Sequence, residues 1–140
     1  MQPASIPPLQ AALQQRGRDL IWAGCEWLTA DQIRKHSGHE TAGDPPDLEQ
    51  WTRDRKVFSL IRDGLEYFPA YLFDADFRPL PAVQTILKIL HAHSPEGLAA
   101  WFESTSSFLG GARPREIVSA APERAMAAAE DADEAMRYAG

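Results

Sequence analysis

Cysteine occurs once in this chain, at Cys25, which excludes an internal disulfide framework and suits a reducing, cytoplasmic compartment. Apolar runs are short and broken by polar residues, so none is long enough to span a bilayer. No basic stretch leads into an apolar core and a cleavage site, which argues against secretion. Basic residues are outnumbered 14 to 20, and a net charge of −6 argues against a protein that coats nucleic acid by bulk electrostatics. Phosphate-cradling glycine loops and nucleophile elbows do not occur. Cys25 sits between Trp22 and Trp27 with no base beside it, so it reads as a structural thiol. His36 with His39, and His91 with His93, are close pairs, but no Cys, Asp or Glu at ligand spacing completes either set. No metal, no cofactor and no catalysis are therefore expected.

What is present is an ordinary globular composition: 140 residues, 44% apolar and 24% charged. That length fits one domain, or two small lobes sharing a core. Charge is unevenly spread. Residues 16–62 hold eight basic and eight acidic groups, whereas residues 63–140 hold six basic and twelve acidic. The neutral half has room for a local basic face, and the acidic half suits a protein partner with a basic surface.

Residues 1–19 read as a lead-in, proline-rich as far as Pro8. Leu9, Leu13, Leu20, Ile21 and Trp27 suggest helix from Leu9 to about Leu28, interrupted near Gly17 or Gly24. Thr29 reads as an N-cap, with Gln32 at the capping-box position and Gly38 as the stop of a short helix. His39 to Asp47 reads as a loop. Asp47 caps a second helix, Leu48 to about Lys56. Val57 to Ile61 and Leu65 to Phe73 read as strands around the hairpin signal Arg62-Asp-Gly. Residues 20–78 are thus a helix-turn-helix-like lobe with a small β-hairpin wing.

Residues 79–140 read as a bundle of short helices. Pro81 opens one, with Val83, Ile86, Leu87 and Leu90 on one face. Ser94 caps the next, and Pro95 takes its first position. Gly110 and Gly111 supply a tight reversal, Pro114 restarts a short helix, and Pro122 opens the last. The fold class is mainly α. The aromatic residues, Trp51, Tyr67, Phe68, Tyr71, Phe73, Trp101, Phe102 and Phe108 among them, are expected to build the core shared by both halves. One or two could serve instead as interface anchors.

In the lobe, Arg34, Lys35, Arg53, Arg55 and Lys56, with Arg62 at the wing, are the candidate DNA contacts, because several cations on one face are what phosphates require. Glu49 and Asp54 lie among them, so a solvated helix face is the competing reading. In the second half, Gly110-Gly111 before a helix has the form of an anion cradle, but Pro114 removes a useful N–H there, and a turn fits better.

Two strings match a known family. Tyr67-Phe-Pro-Ala-Tyr-Leu-Phe-Asp, continuing through Arg78-Pro-Leu-Pro-Ala-Val, resembles its aromatic-proline-aromatic-Phe-Asp segment. Trp101-Phe, with Leu109-Gly-Gly-Ala-Arg-Pro-Arg-Glu-Ile, resembles its Trp…Leu-Gly-Gly-x-Arg-Pro-x-Glu signature. The family is the Xre/MbcA/ParS antitoxins of type II toxin–antitoxin modules, through their C-terminal toxin-binding domain. The similarity covers about Tyr67 to Ala129, and Leu72 stands where the family often has Gln.

The resemblance implies a bacterial, non-enzymatic protein that obstructs the active site of a RES- or ParT-type toxin, one that consumes NAD or transfers ADP-ribose. It also implies promoter binding through the N-terminal lobe, and a homodimer or hetero-oligomer with toxin. The lobe itself departs from the usual Xre-type helical domain and looks closer to a MerR-like reader. Trp101, Leu109, Gly110, Gly111 and Pro114 are the structural signature, and Arg113 and Glu116 complete it. Arg113 has the chemistry to bridge to a carboxylate or cap carbonyls. Arg113, Arg115, Glu116, Arg124, Arg137 and Tyr138 are the candidate toxin contacts, with Arg115, Arg124, Arg137 and Tyr138 expected to be exposed. The alternative is a stand-alone transcription regulator whose C-terminal helices dimerise the DNA-binding lobe.

Overall fold

The protein, here as a computed structural model, is described over residues 8–37 and 46–139, with side chains as far as residue 137. The expected lead-in up to residue 7, the Gly38 stop, His39 and most of the loop before Asp47, and the Tyr138 side chain lie outside the described residues.

The first helix, α1 (Pro8–Ala23), passes through Gly17 without a break and crosses the expected boundary at residue 19. It ends before Gly24, and Trp27–Leu28 is not its last turn but a short strand, β1. The N-cap at Thr29 forms as its residues dictate. Its hydroxyl accepts from the Gln32 amide at 3.3 Å, and its own amide donates to the Gln32 side chain at 2.8 Å, opening α2 (Ala30–His36). Asp47 accepts from the Gln50 amide at 3.0 Å and starts α3 (Leu48–Arg53). This helix stops three residues before Lys56 because Arg55 takes a left-handed φ of 54°.

β2 (Leu60–Arg62) and β3 (Leu65–Pro69) form the hairpin. Asp63 and Gly64 both have positive φ, 53° and 79°, the backbone of a two-residue turn matched to strand twist. β1 pairs with the other edge of β3, Leu28 opposite Phe68, so the sheet is three-stranded, antiparallel and ordered β1-β3-β2. The sequence suggested only the two hairpin strands. β3 also stops short of the expected Phe73, because Pro69 has no N–H to continue a ladder, and a 3-10 turn follows at Ala70–Leu72.

Four helices complete the chain, each opening on a proline: α4 (Pro81–Ile89), α5 (Pro95–Glu103), α6 (Pro114–Ile117) and α7 (Pro122–Ala139). Ser94 caps α5 by accepting from the Gly97 amide at 3.1 Å. Ile33 of α2, Leu48 of α3, Phe68 of β3, Ile86 of α4, Phe102 of α5 and Ala129 of α7 belong to one buried cluster. The lobe and the C-terminal helices therefore share a core. The architecture is mainly helical with a small antiparallel sheet. Among the described residues no helix is long and apolar enough to cross a membrane.

Candidate functional site

The signature segment folds around one carboxylate. Glu103 is the last residue of α5, and its backbone carbonyl accepts from Arg113 Nε at 2.9 Å. Its carboxylate lies 3.4 Å from the same Arg113 Nε and takes two bonds from Arg115, to Nε and, at 3.2 Å, to Nη2. Between the partners the chain reverses: a 3-10 turn at Ser107–Leu109, then Gly110 and Gly111 at φ 67° and 91°, with the Gly111 amide donating to Ser106 at 2.8 Å. Glu116 accepts from the Arg113 amide at 2.9 Å and so caps α6. Leu109 and Pro114 are buried, and Trp101 meets Phe102 edge-on at 4.9 Å. Gly110 and Gly111 thus make the reversal and Pro114 opens α6, with Leu109 and Pro114 buried and Trp101 half-buried.

Arg113 bridges a carboxylate and a carbonyl, as its chemistry allowed. Arg115 differs from expectation. Its side chain is 20% exposed and gripped by a carboxylate that is itself 15% exposed. The bond to Glu103 holds the Arg115 guanidinium more firmly charged than usual, against the opposing cost of burial. Arg124 and Arg137 are exposed as expected, but 13 residues apart on α7 they stand about 20 Å from each other along the helix axis. Arg137 pairs with Asp133 at 3.2 Å. Together with Lys88, His91, Glu130 and Glu134, these two line a cleft of about 520 Å³ between the end of α4 and α7.

Glu103 was not among the residues singled out from the sequence, yet a signal was there. An acid at the C-terminal end of a helix opposes the helix dipole, so it needs a cationic partner. The clamp also reaches α1. A Cβ on Gly24 would collide with the Glu103 carboxylate, so any side chain at residue 24 requires that carboxylate to shift within the clamp. Cys25 follows within the same electrostatic neighbourhood. Burial is the main cause that pushes its thiol up from 9.0 to about 11, with Glu103 adding and Arg115 opposing. Burial first, then Cys25 and Glu103, also raise the Tyr71 phenol well above its ordinary value.

The raised thiol gives a pH prediction. The folded state holds the Cys25 proton more tightly than the unfolded chain does. Its contribution to stability is complete below about pH 9 and lost as pH rises towards 11. Urea midpoints should therefore fall across that window, and fall less in Cys25→Ala. A Cys25→Ala chain that loses stability as steeply as the parent would reject this origin.

The candidate DNA contacts do not form one free cationic face. Arg34 lies 3.5 Å from Asp31, and Arg53 lies 3.6 Å from Glu49 while donating to Gln50 at 2.7 Å. Arg55 is committed to the fold: its guanidinium donates to the Leu87 carbonyl at 3.0 Å and the Leu90 carbonyl at 3.4 Å, closing the end of α4. Arg62 sits 5.0 Å over the Trp22 ring, which packs on Trp27 at 4.5 Å and on the edge of Tyr67 at 5.6 Å. Lys35 is exposed and Lys56 half-buried. No family model, no curated protein and no solved structure matches this chain.

Proposed function

We propose that this chain is a non-enzymatic antitoxin whose C-terminal helix enters and obstructs the active site of a RES- or ParT-type toxin. One observation carries the reading beyond sequence resemblance. α7 is anchored through Ala125, Ala128 and Ala129 in its first half, whereas Glu134 to Arg137 in its last turns are exposed. A helix held at one end and displayed at the other suits insertion into a cleft. Met136, 50% exposed, offers an adaptable apolar tip. The Arg137 guanidinium, 70% exposed, leaves its surface pair with Asp133 at little cost and would occupy ground meant for the phosphates of NAD. Arg124 is exposed in the first turn of α7, Glu116 is exposed on α6, and Arg113 and Arg115 tie α6 to the end of α5 through Glu103.

Removing residues 134–140 should abolish co-purification with a toxin encoded beside this chain, while far-UV circular dichroism stays that of the folded protein. Full neutralisation by the shortened chain, or the absence of any such neighbouring toxin, would reject the proposal. Repression of its own operon is proposed on α2, α3 and the hairpin, where Arg34, Lys35 and Arg53 are exposed on consecutive elements. The double reversal Lys35→Glu/Arg53→Glu should weaken promoter binding and flatten its salt dependence. An unchanged isotherm would remove this surface from DNA recognition. Arg55 is unsuitable for that test, since its loss would release the end of α4.

A further inference from the structure

One face of the sheet is aromatic and only half covered. Residues directly opposite in a ladder share a face, as do alternate residues of a strand. Trp27 opposite Pro69, Leu60 opposite Tyr67 and Arg62 opposite Leu65 therefore point to the same side. Trp22, at the end of α1, lies over that side, 4.5 Å from the Trp27 ring and edge-on to Tyr67 at 5.6 Å. The three rings stay half-buried, and with Cys25, Arg62 and Asp63 they line an open cavity of about 380 Å³. That is the small end of ligand cavities, whose walls are typically aromatic with a few placed polar groups. The Trp27 indole N–H already donates to the Ile21 carbonyl at 3.2 Å, which fixes that ring in the wall. We propose that this cavity is a binding site for a free aromatic amino acid.

Charge selects the ligand. Arg62 and Asp63 are exposed, and among the described residues neither has an ion-pair partner. The Arg62 guanidinium rests 5.0 Å over the Trp22 ring, an exposed cation–π contact that a carboxylate readily replaces. Adjacent in the chain, with Cα atoms about 3.8 Å apart, the two residues set one cation beside one anion at the rim. Cys25 adds no charge, because burial pushes its thiol up to about 11 and keeps it protonated at neutral pH. A purely cationic ligand would meet Asp63 but also face Arg62, and an anionic ligand would meet the reverse. An α-amino acid carries both charges on one carbon. Its carboxylate reaches Arg62 and its ammonium reaches Asp63, while its side-chain ring lies on the aromatic wall. A peptide terminus offers only one of the two charges and leaves the other rim residue unpaired. None of the lining residues belongs to α6 or α7, so this site is separate from the proposed toxin-facing helix.

Calorimetric titration of the full chain with L-tryptophan should give a one-to-one isotherm with a Kd on the order of 100 µM, as suits a small and open site. Tryptamine, which lacks the carboxylate, and indole-3-propionate, which lacks the ammonium, should each bind about fivefold more weakly, the size of a rim ion pair. Arg62→Ala should weaken L-tryptophan by a similar factor and leave tryptamine binding no weaker. Asp63→Asn, which suits the positive φ at this position, should weaken L-tryptophan and leave indole-3-propionate binding no weaker. A variant that merely misfolds would weaken all three ligands. By NMR, the indole N–H signals of Trp22 and Trp27 should shift during the titration while those of Trp51 and Trp101 stay in place. An absence of both heat and indole shifts with millimolar L-tryptophan, either analogue binding as tightly as L-tryptophan, or shifts confined to Trp51 and Trp101 would overturn the proposal.

Discussion

Phe102→Ala should destabilise the protein by about 3–5 kcal/mol, the usual result of emptying a fully buried aromatic site. Phe102 has no exposed surface and packs on Tyr71 at 4.8 Å, Phe58 at 6.0 Å and Trp101 at 4.9 Å. These rings come from the segment before the hairpin, from the turn after β3 and from α5 itself, so one side chain joins the lobe to the C-terminal helices. Against a typical total of about 5–15 kcal/mol, such a loss leaves a marginal fold, and partner binding should fall with it. Equilibrium unfolding in urea measures the effect. A cost below about 1 kcal/mol would mean that the two halves do not depend on this contact.

Glu103→Ala should cost about 2–4 kcal/mol, because it strands Arg115 and Arg113 without the carboxylate that compensates their partial burial. Two comparisons separate the clamp from general damage. Glu103→Gln keeps the shape and an acceptor and should lose roughly half as much. Gly24→Ala drives a methyl group into the carboxylate of the parent, yet should cost much less once residue 103 is alanine. A double-mutant cycle should therefore show a coupling of about 1 kcal/mol or more between residues 24 and 103, and strict additivity would place the clamp elsewhere. Arg115→Lys should behave as a partial loss, since an ammonium cannot reproduce the two-nitrogen grip on Glu103.

Local chemistry made much of the fold legible. The Thr29–Gln32 cap, the Asp47 cap, the Asp63-Gly64 turn, the Ser94 cap and the helix-opening prolines each act within a few residues, so their consequences can be read in order along the chain. β1 was not legible, because two residues carry no period and Trp27 continues the apolar pattern of α1. Its strand state comes from Phe68 and Pro69, some forty residues later. The same distance in sequence hid the role of Arg55, which looked like a surface cation and instead closes the end of α4.

The candidate site divides along the same line. From the sequence alone came a mainly helical chain, the glycine reversal and the restart at Pro114, all set by local backbone preference and hydrophobicity. Tertiary structure decided which charges are displayed. As residues along a string, Arg115 stood with Arg124 and Arg137 as an exposed contact, whereas Arg113 already had the chemistry of a bridge. Folding turned Arg113 and Arg115 inward onto Glu103, because an acid at a helix end and two cations beyond a tight turn neutralise one another in the partly dry space beside Gly24. It left Arg137 at the end of α7 and the leucines of α1 facing outward. Exposure is a property of packing between distant segments, and no local pattern specifies it.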